Sequence, residues 1–334
     1  MKISLLILSI TLAMVLGNQK SASAQAQETE STPAANWNLP TKTLGGKQFW
    51  TDFVNRHGYR IQQHVMTSHF RLLSPTDVRI AWGNFAACRQ KLDEIILEKD
   101  VPPVTGRVLI VVHGLARTRA AMNPIVRYLA ENSDLHVINM SYASTRGSIS
   151  NHSEALASII EHLPDADEIS FLGHSMGSIV VRYYLGTEDN AHDPRFHRMV
   201  MLAPPNHGSR LAMRLQDNVI FKTFWGASGQ DLSRHWTELS SSLATPEFEF
   251  GIIAGAQPDD AAISNPLIGG ANDLVVTVAE TRLVGASDFH QQPVLHSFIM
   301  NDAEVHQATL SFLDNGWFRT ADARQPVTVN LDGE

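Results

Sequence analysis

From residue 107 onward the chain alternates short, unbroken apolar runs with stretches of helical spacing. Residues 107–112 are a β-branched run without polar alternation, the pattern of a strand covered on both faces. Met122, Ile125, Val126 and Leu129 then fall on one side of a helix. A second strand is expected over 135–140, and the next helix face carries Leu156, Ile159, Ile160 and Leu163. A third strand, 168–172, runs directly into Gly173-His174-Ser175-Met176-Gly177. A helix over 178–185 is expected to stop at Gly186 in a left-handed turn, and residues 197–202 form a fourth strand. Further strands are expected over 248–254 and 282–286, and a closing helix over 302–314. Strands alternating with helices mean βαβ units, an α/β class built on a mostly parallel sheet.

Two regions depart from that rhythm. Residues 41–104 read as an N-terminal region, helical with some extended pieces. Residues 210–246 are too apolar for an open loop and too irregular for a strand, and they read as a helical lid or cap insertion. One domain over 41–320 carrying that insertion, with a tail over 321–334, fits better than two domains.

The N-terminus changes the picture of where the chain works. Met1-Lys2, an apolar run from Ile3 to Gly17 and the small-residue site Ala22-Ser23-Ala24, with Ala24-Gln25-Ala26 as the alternative, form a secretory signal peptide over 1–24. The run is short for a membrane span, which needs about 20 residues, so no stable span is expected once the leader is removed. Residues 25–40, rich in Gln, Ser, Thr, Ala and Pro, read as a mobile segment, and the destination as secreted or periplasmic. The net charge of −8 and the lack of any Lys/Arg block argue against a nucleic-acid partner. Cys88, the single cysteine, excludes an internal disulfide, and its helical spacing with Phe85, Leu92 and Ile95 makes it core. The oligomeric state is not readable from the sequence.

The chemistry centres on Ser175. A serine hydroxyl is a poor nucleophile without a base beside it and donors for the developing oxyanion. A strand–turn–helix elbow exposes such a serine on a strained turn, with glycines two residues either side to relieve crowding; Gly173 and Gly177 occupy those places. His113-Gly114-Leu115 ends the first strong strand, where a loop can supply one oxyanion N–H while the residue after the nucleophile supplies the other. This assigns the backbone N–H groups of Leu115 and Met176, with His113, Gly114 and His174 bordering the substrate. In this architecture the acid and the histidine follow the serine along the chain. Of fifteen histidines, His296 is favoured because it lies on a loop ahead of the closing helix, with His290 as the alternative. His306 falls inside that helix, and His207 is assigned to the pocket lining. Asp273, ahead of Leu274-Val275-Val276, is favoured as the acid over the Asp259-Asp260 pair. Phe221, Phe224 and Trp225 in the insertion are candidate acyl contacts. No histidine–acid spacing suits a metal, and the chemistry requires no cofactor.

With these pieces in place the chain resembles the lipase and esterase branch of the α/β-hydrolase superfamily. The resemblance rests on His113-Gly114, the Gly173–Gly177 elbow, Pro204-Pro205-Asn206-His207-Gly208-Ser209, Asn272-Asp273-Leu274-Val275 and His296-Ser297-Phe298-Ile299-Met300, and covers roughly 105–315. It implies an α/β-hydrolase fold with helices flanking the sheet and hydrolysis of carboxylic esters through an acyl-enzyme on Ser175, His296 and Asp273, while the apolar insertion over 210–246 favours lipid esters. Leu274 stands where relatives often carry glycine. Acyl transfer, thioester hydrolysis and a catalytically silent binding protein are the alternatives on the same fold.

Overall fold

The computed structural model describes residues 41–43, 48–187, 190, 192–215, 228–233, 235–256 and 269–329. The expected leader 1–24, the segment 25–40, the end of the tail, the Asp259-Asp260 pair and Phe221, Phe224 and Trp225 lie outside the described residues.

The N-terminal region is a sheet, where mostly helix was expected. Strands β1 (Thr41–Lys42), β2 (Trp50–Arg56), β3 (Tyr59–His64), β4 (Phe70–Leu73) and β5 (Val78–Gly83) form an antiparallel sheet in the order β1-β5-β4-β3-β2. His57 and Gly58, both at positive φ, join β2 to β3 in a two-residue turn of the kind hairpins favour. Helix α1 (Phe85–Lys99), capped by Asn84, packs Cys88, Leu92 and Ile95 onto Val54, Ile61 and Leu72 of this sheet. The pattern was hard to read because the sheet buries polar side chains. Asp52, Arg60, Gln62 and Arg71 are all buried. Asp52 accepts from Gln62 Nε2 at 2.6 Å, and Gln62 Oε1 accepts from both Nε and Nη2 of Arg71. An interior of charges and amides leaves no period-two apolar signature.

The rest of the chain follows the expected rhythm. Strands β6 (Gly106–Val112), β7 (His136–Met140), β8 (Ala166–His174), β9 (Phe196–Leu202), β10 (Glu249–Gly255) and β11 (Asp288–Gln292) form a wholly parallel six-stranded sheet in the order β11-β10-β9-β8-β6-β7. Alternate residues of β6 serve opposite cores. Val108, Ile110 and Val112 pack with helices α3 (Ile149–Glu161) and α4 (Met176–Leu185), while Leu109 and Val111 pack with α2 (Asn123–Asn132) and the closing helix. Burial on both faces accounts for the unbroken apolar run. Between β9 and β10 the described residues include the short helices α5 (Arg210–Leu215) and α6 (Trp236–Ser241). A single-turn helix α7 (Val278–Thr281) precedes β11, and α8 (Ala303–Asn315), capped by Asp302, closes the fold.

Two local expectations are corrected. Residues 282–286 are not a strand; the edge strand is Asp288–Gln292, whose sequence DFHQQ lacks an apolar run. Its Asp288 is nonetheless buried, with Oδ1 accepting from the N–H groups of Phe289 and Gln325 and Oδ2 from that of Phe318. Gly186 caps α4 in a right-handed conformation, φ −78° and ψ −6°. Its requirement is space, because a Cβ there would lie 2.0 Å from the Ser242 carbonyl oxygen. The Arg182 guanidinium supports the same contact, donating to the carbonyl of Ala244 at 2.8 Å and to Asn206 Oδ1 at 3.0 Å. Gly186→Ala is therefore expected to destabilise the protein by about 1–3 kcal/mol through overpacking of backbone on backbone, although its φ suits alanine. Chemical denaturation of the variant beside the parent checks this.

Candidate functional site

Five loops at the carboxyl ends of the parallel strands converge, as ligand sites of such sheets do. The tightest is the elbow between β8 and α4. Ser175 stands at φ 53° and ψ −124°, and its N–H donates to the Leu202 carbonyl at 2.8 Å, tying the turn to β9. A Cβ on Gly177 would lie 2.1 Å from the Val112 carbonyl oxygen, and one on Gly173 would lie 2.6 Å from the Ser178 backbone. Glycine at these two places is thus a packing requirement of strand and helix passing at contact distance.

His296 reaches the elbow from the loop after β11. Its Nε2 is 3.0 Å from Ser175 Oγ, and its Nδ1 is 2.7 Å from Asp273 Oδ2. Asp273 is fully buried on the loop after β10, and its Oδ1 accepts from the N–H groups of Val275 at 3.0 Å and Val276 at 2.7 Å. A carboxylate with that many donors is fixed in direction. The His296 N–H also donates to the Asp273 carbonyl at 3.1 Å. Leu274 sits at φ +81°, which explains why glycine suits the position; an L-residue there carries about 1–2 kcal/mol of strain. His290 lies on β11 near Gln292, with its Nε2 3.3 Å from Gln292 Oε1 and no contact to Ser175.

Three further histidines lie beneath the site, and each has an acceptor that sets its tautomer. His174 Nε2–H donates to the His296 carbonyl at 3.1 Å, buttressing the loop that carries His296. His113 Nδ1–H donates to the Gly114 carbonyl at 2.9 Å, and the Arg117 N–H donates to that same oxygen. Gly114 C=O and Leu115 N–H belong to one trans peptide, so holding the carbonyl inward turns the Leu115 N–H the opposite way. The Tyr142 hydroxyl donates to the His113 carbonyl, with the Tyr142 ring stacked on the imidazole at 4.1 Å. His152 packs against Tyr142 at a tilt, ring centroids 4.6 Å apart, with its Nε2 3.1 Å from Ser228 Oγ. The Met176 N–H opens α4, where no intrahelical acceptor exists.

A cavity of about 370 Å³ opens over Ser175 and His296. Leu115, His174, Val275 and Val276 contribute to its wall, together with Ser209, Leu211 and Leu232 from the segment between β9 and β10. His113 is fully buried behind the loop and does not line the cavity. His207, expected in the lining, is exposed. The turn closed by the Gly208 N–H on the Pro205 carbonyl directs it outward, and Ser209 borders the cavity in its place. Sequence reasoning also missed Arg117 and Ser297 in the lining. Arg117 was within reach, two residues beyond Leu115, whereas Ser297 carries no signal apart from its neighbour His296. Among the described residues no group of three or more His, Cys, Asp or Glu side chains is placed to hold a metal ion, and no helix is long and apolar enough to cross a membrane.

Residues 107–235 match the family model described as alpha/beta hydrolase fold, and the chain has that fold, a parallel sheet flanked by helices. The propeptide form of lipase BlEst2 from Bacillus licheniformis superposes with a TM-score of 0.52 at 16% identity, covering 67% of this chain and 53% of that one, about half of its length. The mature form of the same lipase gives 0.48 at 17% identity, covering 64% of this chain and 91% of that one. Phospholipase PlaB from Legionella pneumophila gives 0.41 at 20% identity, covering 54% and 46%. At 16% identity the likeness to the propeptide form is one of fold. No curated protein matches the chain.

The buried imidazoles make stability depend on pH. Burial pushes His113 down to about 4 and His152 to about 3, from an ordinary 6.5, and holds His174 well below that value. Unfolded, these groups take up protons as pH falls through 6.5; folded, they stay neutral until their lower values are reached. The stability they contribute is complete above that range and is lost as acid is added. The unfolding free energy is expected to fall from pH 6.5 towards 4, and His152→Gln to flatten that slope by about one proton. Denaturant titrations across the pH series check both.

Proposed function

We propose that this chain is an exported serine hydrolase that cleaves carboxylic esters, of lipase or esterase type, through an acyl-enzyme on Ser175. The observation that carries the reading is the unbroken line of hydrogen bonds from Ser175 Oγ through His296 to Asp273, 3.0 and 2.7 Å long. Asp273 is hydrogen-bonded to Nδ1–H, so Nε2 faces the serine as the bare, basic nitrogen. His296 takes the Ser175 proton as Oγ adds to the ester carbonyl. The N–H groups of Leu115 and Met176 receive the oxyanion, and the imidazolium beside Asp273 returns its proton to the leaving alcohol. Water, activated by the same imidazole, then releases the acid. The cavity over Ser175, with Leu115, Leu211, Leu232 and Val276 in its wall, suits an acyl chain. Phe221, Phe224 and Trp225 belong to this proposal as lid contacts, and export rests on the sequence of residues 1–24.

The test is turnover of short- and long-chain p-nitrophenyl esters together with labelling by a fluorophosphonate. Ser175→Ala should abolish labelling and lower kcat by about 10⁴–10⁶-fold, and His296→Ala should lower it comparably. Asp273→Asn should cost about 10³–10⁴-fold by disturbing the imidazole tautomer. Absence of both turnover and labelling in the parent protein refutes the reading. Robust activity in His296→Ala would move the base elsewhere, with His290 the next variant to make. N-terminal sequencing of exported protein is expected to begin at Gln25, and recovery of an intact Met1 outside the cell would exclude cleavage.

A further inference from the structure

We propose that the Arg117 guanidinium selects the substrate, and that the esters this site prefers carry an oxyanion, carboxylate or phosphate, near the scissile bond. The inference rests on the ester-hydrolase reading and deepens it by naming a substrate class.

Arg117 lines the cavity beside Leu115 and Ala116, in the loop that offers the Leu115 N–H. It is the one permanently charged side chain among the described lining residues. Among the described residues no carboxylate pairs with it, whereas Arg119, two positions on, is held by Asp77 at 3.2 Å. Burial above all holds the His174 ring neutral, and the Arg117 charge adds to that effect.

The main chain that carries Arg117 is fixed from three sides. Its N–H donates to the Gly114 carbonyl at 3.3 Å, and its carbonyl accepts from Gln48 Nε2 at 2.6 Å and Ser144 Oγ at 3.3 Å. Ala116 before it stands at φ +54°. A half-buried cation rooted on so constrained a turn, beside the apolar residues of the cavity wall, meets an anion with little reorganisation of the main chain. The planar guanidinium presents a donor fork that matches a carboxylate or a phosphate. The surrounding charge makes the placement more telling. The chain carries a net −8, so its general field repels anions, and a local cation is what admits an anionic ester.

The two sources of that oxyanion differ in where it lies. A dicarboxylic half-ester bears it on the acyl side, and a phosphatidic acid bears it on the alcohol side. The experiment compares a p-nitrophenyl half-ester with a p-nitrophenyl alkanoate of equal length, and a short-chain phosphatidic acid with the matching diacylglycerol. In the parent protein kcat/KM for the anionic member is expected to exceed that of its neutral partner in one of the two pairs, which identifies the source. In Arg117→Gln that ratio should fall about 10- to 100-fold, chiefly through KM, as loss of a charge-assisted hydrogen bond predicts, while Arg117→Lys should retain part of it. A ratio at or below one in both pairs, or an unchanged ratio in Arg117→Gln, overturns the proposal.

A binding comparison separates this outcome from failure of the hydrolase reading. Calorimetry on Ser175→Ala should show octyl phosphate or octanoate bound at least tenfold more tightly than octanol, and Ser175→Ala/Arg117→Gln should lose that preference. If no ester is turned over, this comparison still decides the role of Arg117, and equal affinity for the charged and neutral probes refutes it.

Discussion

The left-handed turn at Ser175 is the constraint on which the rest of the site depends. A chain leaving a buried parallel strand and entering a helix within one residue must reverse at contact distance, and only the bare Cα atoms of Gly173 and Gly177 permit it. The turn is strained, so it persists only because its surroundings over-determine it. Those surroundings are the Leu202 carbonyl that receives the Ser175 N–H, and a helix whose buried face is locked into the core. The same geometry raises Oγ above the carboxyl ends of the strands and leaves the first N–H of α4 without an intrahelical acceptor. In the proposed mechanism, presentation of the hydroxyl to the cavity and availability of an oxyanion donor are two results of one backbone conformation.

Around that turn the protein separates charge from neutrality. Asp273 is the buried anion, satisfied by two backbone N–H groups and His296. His113, His152 and His174 are buried and held neutral, each oriented by an oxygen acceptor. His296 bridges the carboxylate and the serine. An imidazolium beside it in the same low-dielectric volume would compete for that carboxylate. Neutral histidines can instead act through their hydrogen bonds, aligning the Gly114 peptide and the His296 loop without adding charge.

What could be read in the sequence follows the same physics. The parallel strands were legible because burial on both faces demands uninterrupted apolar residues, and the elbow was legible because two close approaches each demand a glycine. His296 and Asp273 could be singled out from chain order and loop position, and the structure places them in one hydrogen-bonded line with Ser175. The antiparallel sheet escaped because Asp52, Arg60, Gln62 and Arg71 occupy interior positions, where the energy comes from a satisfied polar network. Strand β11 escaped because an edge position tolerates DFHQQ, while the more apolar 282–286 drew the assignment. His207 was placed in the cavity because it lies in a suggestive segment, but side-chain direction in a tight turn is a matter of backbone dihedrals that no composition reports.

The antiparallel sheet has a place in the site that its sequence did not disclose. Strand β7 is the outer strand of the parallel sheet, and the chain just beyond it meets β2. The Ser141 N–H donates to Asp52 Oδ2, and the Asp52 N–H donates to the Ser141 carbonyl. The Ala143 N–H reaches Thr51 Oγ1, and Ser158 Oγ on α3 reaches the Phe53 carbonyl. Just ahead of β2, Gln48 spans the gap between two loops of the site, its Nε2 on the Arg117 carbonyl and its Oε1 receiving the Thr145 N–H and hydroxyl. The loop after β6 is thereby held from inside by His113 and from outside by Gln48. In the proposed mechanism this loop presents an N–H in a fixed direction, and it gains little from a rigid strand beneath it if its far side is free, because preorganised donors stabilise a developing charge only when they need not reorient. The extra sheet supplies that far side.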